Sequence, residues 1–283
     1  MREAPAGLLR IADLSAAKLN AVLELGEHMR AGPSWWSGMH TGGTVTCLLD
    51  EPSPWTAASF PEAARRLGMV AVTVSPDELG GSPAAIAQAA SDDSTAIVAA
   101  TSAQAVLEEI ARSATVPVVN ASTSAHHPCQ ALADLLTLRR HFGYLDGLRI
   151  AYLGDGDNVA HSLMEAGALA GMHVAVATPR GAEPDHDVTL GALALAAEHG
   201  GSLQLGHDPH AAIALADVVY AGASSAVDRA LMTAASPWAV RMCHAPGEEA
   251  ETGAGSLAGE QDANRVPTAQ ALLHSIVADA SGR

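Results

Sequence analysis

The stretch HHPCQALADLL, His126 to Leu136, holds residue types suited to small-molecule chemistry. The residue before a proline avoids the α region, and proline suits a first helical turn, so the His-Pro pair predicts an extended approach to a helix. His127 and Gln130 then lie about one turn apart on the same side. An imidazole can donate, accept or carry a proton, and a carboxamide can donate and accept, so the pair suits a small carbonyl or amide. Taken alone, a histidine that merely caps the helix explains the motif equally well.

Two further stretches raise binding chemistry. In EPSPWTAASF, Glu51 to Phe60, a polar turn follows an apolar strand and a helix is expected from about Ser53. Its hydroxyl could cap free N–H groups where an anion could dock. Yet between Ala31 and Arg112 the only Lys or Arg residues are Arg65 and Arg66, two turns or more along that helix. In YLGDGDNVAHS, Tyr152 to Ser162, Gly154 and Gly156 nearly match G-x-G-x-x-G, but Val159 replaces the third glycine. The next strand ends VATPRG without the acidic residue that holds an adenosine ribose. Arg180 would suit a 2′-phosphate, but an ordinary strand-to-helix turn explains the pattern better. His207, His210 and the segment 184–187 carry metal-ligand types, but they lie near loops between unrelated elements, so no metal is expected.

Alternating apolar runs and amphipathic segments must position these residues. GTVTCLLD, MVAVTVSP, STAIVAAT and VPVVNAS read as strands, separated by the helices FPEAARRLG, SPAAIAQAASD and AQAVLEEIARSA. A helix capped by Ser15 and stopped by Gly32 precedes them. After the helix from His127, the strands GLRIAYLGDG, HVAVATPRG, LQLGHD, DVVYAG and WAVRMCHAP alternate with helices at VAHSLMEAGALAG, VTLGALALAAEHGG and PHAAIALA. Residues 247–263 are expected to form an irregular loop, and PTAQALLHSIVADA a closing helix. Near-continuous apolar strands joined by helices imply two doubly wound parallel sheets. The division is placed at 1–134 with the helix 267–283, and at 147–263, with ligands at strand carboxyl ends.

The 283 residues carry a formal net charge of -16, and Lys18 is the only lysine, which argues against nucleic acid and against an anionic membrane surface. Cys47, Cys129 and Cys243 are few and scattered, so neither a disulfide set nor a structural zinc is indicated. No apolar run reaches the roughly 18 residues of a spanning helix, and a cytoplasmic location is expected.

Taken together, HPCQALADLLTL, LDGLRIAYLGDGDNVAHSLMEAGALAGMHVAVATPRG, ADVVY, MCHAPGEE and ANRVPTAQALL resemble the aspartate/ornithine carbamoyltransferase family, ornithine branch, in order and spacing. The resemblance implies two α/β domains of the carbamoyltransferase type, a C-terminal helix packing back on the first domain, no cofactor, and a homotrimer whose interdomain cleft takes a small molecule. It also implies catalytic roles for His127 and Gln130, and substrate-binding roles for Ser53, Trp55, Thr56, Asn158, Cys243 and His244.

The sequence departs from the family where phosphate is held. Relatives read S-T-R-T-R at positions that here are Ser53, Pro54, Trp55, Thr56 and Ala57. A further family arginine falls at about Ala100, and the H-C-L-P-x-x-R segment appears as MCHAPGEE with no arginine. The aspartate of the family's D-x-x-x-S-M-G loop falls at about Gly222 and its serine at Ala226 or Ser225. The expectation is therefore an enzyme of altered chemistry acting on a small amino-acid or amide-type substrate in specialised biosynthesis, with ordinary ornithine carbamoylation lost. The alternatives are a catalytically silent paralogue that binds a ligand or a hetero-oligomer partner, and an intact enzyme borrowing cations from a neighbouring subunit. The last is disfavoured because residues 67–111 contain neither Lys nor Arg.

Overall fold

The computed structural model describes residues 7–50, 54–223, 227, 229–244 and 255–282. The chain divides into two compact units, Met1–Cys129 with Arg265–Arg283, and Gln130–Asn264.

In the first unit, α1 (Ala16–Ala31) starts where Ser15 Oγ accepts the Lys18 N–H, and Gly32 ends it. There follow β1 (Thr44–Leu49), α2 (Pro54–Arg66), β2 (Val70–Val74), α3 (Pro76–Leu79), α4 (Pro83–Ser91), β3 (Ala96–Ala100), α5 (Gln104–Ser113) and β4 (Val118–Ser122). The strands form a parallel sheet in the order β2-β1-β3-β4. Leu48, Ile97 and Val118 pack with Ile86, Ala87, Ala90, Leu107 and Ile110 of α4 and α5. Alanines at the contacts let helix and sheet approach closely, which a chain with 3% aromatic residues requires.

From the first unit α6 (Pro128–Phe142) leads into the second. Then come β5 (Arg149–Leu153), α7 (Asn158–Leu169), β6 (His173–Ala177), α8 (His186–His199), β7 (Ser202–Gly206), α9 (Pro209–Ile213), β8 (Val218–Ala221), α10 (Arg229–Met232), β9 (Val240–Cys243) and α11 (Ala258–Ala280). This sheet is also parallel, in the order β7-β6-β5-β8-β9. Residues Val159 to Leu169 of α7 are all buried, the polar His161, Ser162 and Glu165 included. The strand order reverses between β1 and β3 in one sheet and between β5 and β8 in the other, and ligands of such folds sit beyond the carboxyl ends at these points.

The two open parallel sheets agree with the α/β expectation, and α11 packs on the first unit. Lys18 pairs with Asp279, and His40 Nε2 lies 2.9 Å from His274 Nδ1 beside the Trp36 ring. The expected loop at 247–263 is wrong over its last six residues, because α11 begins at Ala258, not at Pro267. Proline inside a helix cannot donate to the carbonyl four residues back; here that residue is Ala263, which is exposed, so water can serve the carbonyl. Helix α9 is shorter than expected, ending at Ile213, and α3 was not anticipated. Residues 247–254 of the expected loop lie outside the described residues.

Candidate functional site

In the first unit, the Asp50 N–H donates to the Ala100 carbonyl (3.0 Å) and the Thr101 N–H to that of Ser122 (3.1 Å), aligning the ends of β1, β3 and β4. Helix α2 opens at Pro54 with no basic residue in its first turn. Thr56 is buried there; Ser53 and the Trp55 side chain lie outside what is described. Arg65 and Arg66 are committed elsewhere. Arg65 Nε and Nη2 donate to the two Glu62 oxygens at 2.8 Å, and Arg66 Nε donates to Oε1 at 2.8 Å. Hydrogen bonds from Arg65 and then Arg66 hold the Glu62 carboxyl down at about 2. Its folded value lies below its unfolded one, so its contribution is present above about pH 4.5 and is lost as pH falls through 2. Glu62→Gln is expected to cost under about 1 kcal/mol at pH 7, because the cluster is at the surface, and less at pH 2; paired melts at the two pH values test this.

After β4 a tight turn delivers the histidine. Thr123 N–H donates to the His126 carbonyl (2.9 Å), and His126 N–H returns a bond to Thr123 Oγ1 (3.1 Å). Asn120 Nδ2 donates to the Leu9 carbonyl (2.8 Å) from beneath. His127, half-buried, follows immediately and precedes Pro128, the first residue of α6. Cys129 Sγ donates to the Asn120 carbonyl (3.1 Å), and burial pushes this thiol well above its usual range, so it is a packed hydrogen-bond donor and not a thiolate.

In the second unit, Gln130 and Cys243 belong to one buried network. Gln261 on α11 reads the backbone of Cys243: its Oε1 accepts the Cys243 N–H (3.1 Å) and its Nε2 donates to the Cys243 carbonyl (2.9 Å). The same Nε2 donates to Asp134 Oδ1 (2.7 Å), and Gln130 Nε2 donates to that oxygen as well (2.9 Å). Tyr220 on β8 gives its hydroxyl to Asp134 Oδ2 (3.0 Å). Burial, then the Asp134 charge, pushes the Tyr220 phenol far up, so it stays a donor. Tyr220 stacks on Tyr152, with centroids 5.6 Å apart, and the Tyr152 hydroxyl donates to Asp157 Oδ1 (3.1 Å). Asp157 caps α7 through the N–H groups of Val159 and Ala160, both at 3.0 Å, and Asn158 opens that helix, partly buried. His244 is half-buried after β9, its N–H donating to the Ala221 carbonyl (3.1 Å).

The two glycines of YLGDGDNVAHS have a structural use. Gly156 N–H donates to the Ala182 carbonyl (2.7 Å), and a Cβ at 156 would overlap the Pro184 nitrogen. The close approach that Gly156 permits is to the chain's own backbone. Gly156→Ala is expected to destabilise the protein by about 1–3 kcal/mol, since backbone and not a pliable side chain must yield; a thermal melt reads it. At Gly222 a Cβ would come within 2.5 Å of the Tyr152 hydroxyl, so the place where the resemblance puts an aspartate has no side chain and a phenol beside it.

Sequence reasoning placed His127 and Thr56 near strand carboxyl ends of the first unit, and Gln130, Asn158, Cys243 and His244 fall in the second. It missed Asp134, Gln261 and Tyr220. The available signal was a carboxylate four residues after Gln130 on a largely apolar helix. His207, weighed as a metal ligand, donates from Nδ1 to the Thr178 carbonyl (2.9 Å) and lies 3.7 Å from Glu183. Among the described residues no group of three potential ligands converges on a metal position.

Two open parallel-sheet units with polar side chains around strand carboxyl ends define a two-domain α/β protein of the kind that binds small molecules at such ends. The chain belongs to the aspartate/ornithine carbamoyltransferase family: the carbamoyl-P binding domain matches residues 7–140 and the Asp/Orn binding domain residues 146–225. It is 39% identical over 269 residues to an ornithine carbamoyltransferase of Acidothermus cellulolyticus, covering 85% of this chain and 86% of the relative. A second such protein, from Anoxybacillus flavithermus, is 40% identical over 220 residues, covering 75% and 69%. The ornithine carbamoyltransferase structure from Pyrococcus furiosus aligns with a TM-score of 0.91 at 32% identity over 95% of this chain and 96% of that one.

Proposed function

We propose that this chain is a divergent family member that binds a small amino-acid or amide-type substrate and does not carry out ordinary carbamoyl transfer from carbamoyl phosphate to ornithine. One observation carries the reading: α2 opens with Pro54, Trp55, Thr56 and Ala57, and the next arginines along it are both bound to Glu62. A phosphate dianion there would forgo charge-assisted bonds of about 1.5–3 kcal/mol each. A helix N-terminus supplies only about half a unit charge.

In this reading His127 is a hydrogen-bond donor or general acid/base at a substrate carbonyl. Gln130 commits one amide N–H to Asp134, and its buried oxygen, which has no partner among the described residues, is the atom that receives a substrate N–H. Asn158 holds a polar end of the ligand, and Ser53, Trp55, Thr56, Cys243 and His244 complete the lining. We further propose a homotrimer: β2 is an edge strand with Val70 60% and Val72 42% exposed, an apolar surface that a second copy would cover. A cytoplasmic location accords with three free cysteines, and among the described residues no helix is long and apolar enough to cross a membrane.

The test is a thermal-shift screen of phosphate, carbamoyl phosphate, amino acids and their amides, followed by His127→Ala on any activity found. Unchanged activity in that variant rejects its assigned role. The same exposed β2 edge favours a second reading, a catalytically silent partner of an active carbamoyltransferase. Co-purification of mixed trimers supports that reading, and a self-contained trimer with its own amide ligand counts against it.

A further inference from the structure

We propose that Asp134 is a positioning residue that fixes the orientation of the Gln130 amide, holding its Oε1 as the acceptor that a ligand meets. The inference rests on the reading above that Gln130 meets the substrate. Gln130 is 2% exposed, its Nε2 is bound to Asp134 Oδ1, and its Oε1 is buried with no hydrogen-bond partner among the described residues. A native structure seldom leaves a buried amide oxygen unused, so this atom points to a ligand N–H.

The polarity is set from the backbone outward. Cys243 offers both its N–H and its carbonyl, so the Gln261 amide has one orientation, with Nε2 toward Asp134. Asp134 Oδ1 thus already accepts a hydrogen bond from Gln261, and Oδ2 accepts one from the Tyr220 hydroxyl. A carboxylate receiving three donors has no proton of its own to give. Turning the Gln130 amide over would set its oxygen against Oδ1 across a 2.9 Å contact, two acceptors together, so the flipped form is excluded electrostatically. An asparagine at 134 would keep its oxygen at this place, because Gln261 still donates there, whereas alanine removes the acceptor and lifts the constraint. Gln130 should therefore favour a ligand –C(=O)–NH2 over the isosteric –C(=O)–CH3, and the preference should depend on the Asp134 carboxylate.

L-Citrulline and Nδ-acetyl-L-ornithine differ in that one group, and calorimetric titration of both reads the ratio. Wild type is expected to favour citrulline by about tenfold or more, since the acetyl group leaves the buried oxygen unpaired. Asp134→Ala and Gln130→Ala should each bring the two affinities within about threefold; a merely structural role for Asp134 would weaken both ligands alike and leave their ratio standing. Retention of the ratio in Asp134→Ala with its loss in Gln130→Ala overturns the proposal and spares the reading of Gln130. Retention in Gln130→Ala overturns that reading.

A ligand-free measurement keeps the question decidable if neither probe binds. The chain has six glutamines, so side-chain 15N labelling with Gln130→Ala for assignment isolates the Gln130 amide. Its protons should exchange slowly in wild type and at least about tenfold faster in Asp134→Ala. Rapid exchange in wild type overturns the proposal, whether or not the variant folds.

Discussion

Carbamoyl phosphate is expected to bind this protein at best weakly, and Trp55→Arg with Ala57→Arg is expected to tighten it by about a hundredfold. By the resemblance, the positions of the family's guanidinium groups fall at Trp55, Ala57 and about Ala100, and MCHAPGEE contains no arginine. Three or four charge-assisted bonds of about 1.5–3 kcal/mol each are absent, and each 1.4 kcal/mol is about tenfold in affinity. Pro54 contributes no backbone N–H to the anion either. Restoring two arginines returns at least about 3 kcal/mol gross, and ordering two long side chains takes part of it back. Citrulline formation from carbamoyl phosphate and ornithine should accordingly fall at least about a thousandfold below that of a relative assayed in parallel. An ordinary turnover number in the unmodified chain would refute the central reading. Micromolar binding with no effect of the double variant would refute its electrostatic basis.

Most strands were legible because parallel strands buried on both faces read as near-continuous apolar runs: Ala96–Ala100 and Val218–Ala221 are of this kind. The start of α11 was not legible, since Pro267 resembles a first-turn proline and the residues anchoring the earlier turns are polar. Gln261 is held by Cys243 and Asp134, the latter 127 residues away in sequence, and no local pattern reports such a bond. The candidate site divides along the same line. His127 and Gln130 announce themselves through the proline between them, but Asp134 looked like one more polar residue on a helix. Its burial, and hence its effect on Gln130, exists only once β8, β9 and α11 surround it. GDG likewise admits a nucleotide reading until 182–184 occupies the space beside Gly156.

Asp134→Ala is expected to lower stability by about 3–5 kcal/mol, well beyond Asp134→Asn at about 1–2 kcal/mol. Alanine removes both acceptor oxygens at once and strands the Gln130 amide and the Tyr220 hydroxyl, while Gln261 retains only its bonds to Cys243. Each buried donor without a partner costs about 1–3 kcal/mol, and the lost carboxylate also leaves a small void. Asparagine keeps one acceptor oxygen and nearly the same volume, so its cost is the weaker neutral bond and one misdirected N–H. For a unit of this size the alanine variant should melt about 10 °C lower. The three tyrosines, Tyr144, Tyr152 and Tyr220, all lie in Gln130–Asn264, so tyrosine near-ultraviolet dichroism follows that unit as it unfolds. The Tyr152–Tyr220 stack should weaken in the variant before the main transition, because Tyr220 loses the bond that aims its ring. A loss below about 1 kcal/mol would mean that the carboxylate's desolvation already cancels its three bonds, as can happen for buried charge. Asp134 would then be retained at no net gain to the fold, leaving its hold on Gln130 as the physical consequence of its presence.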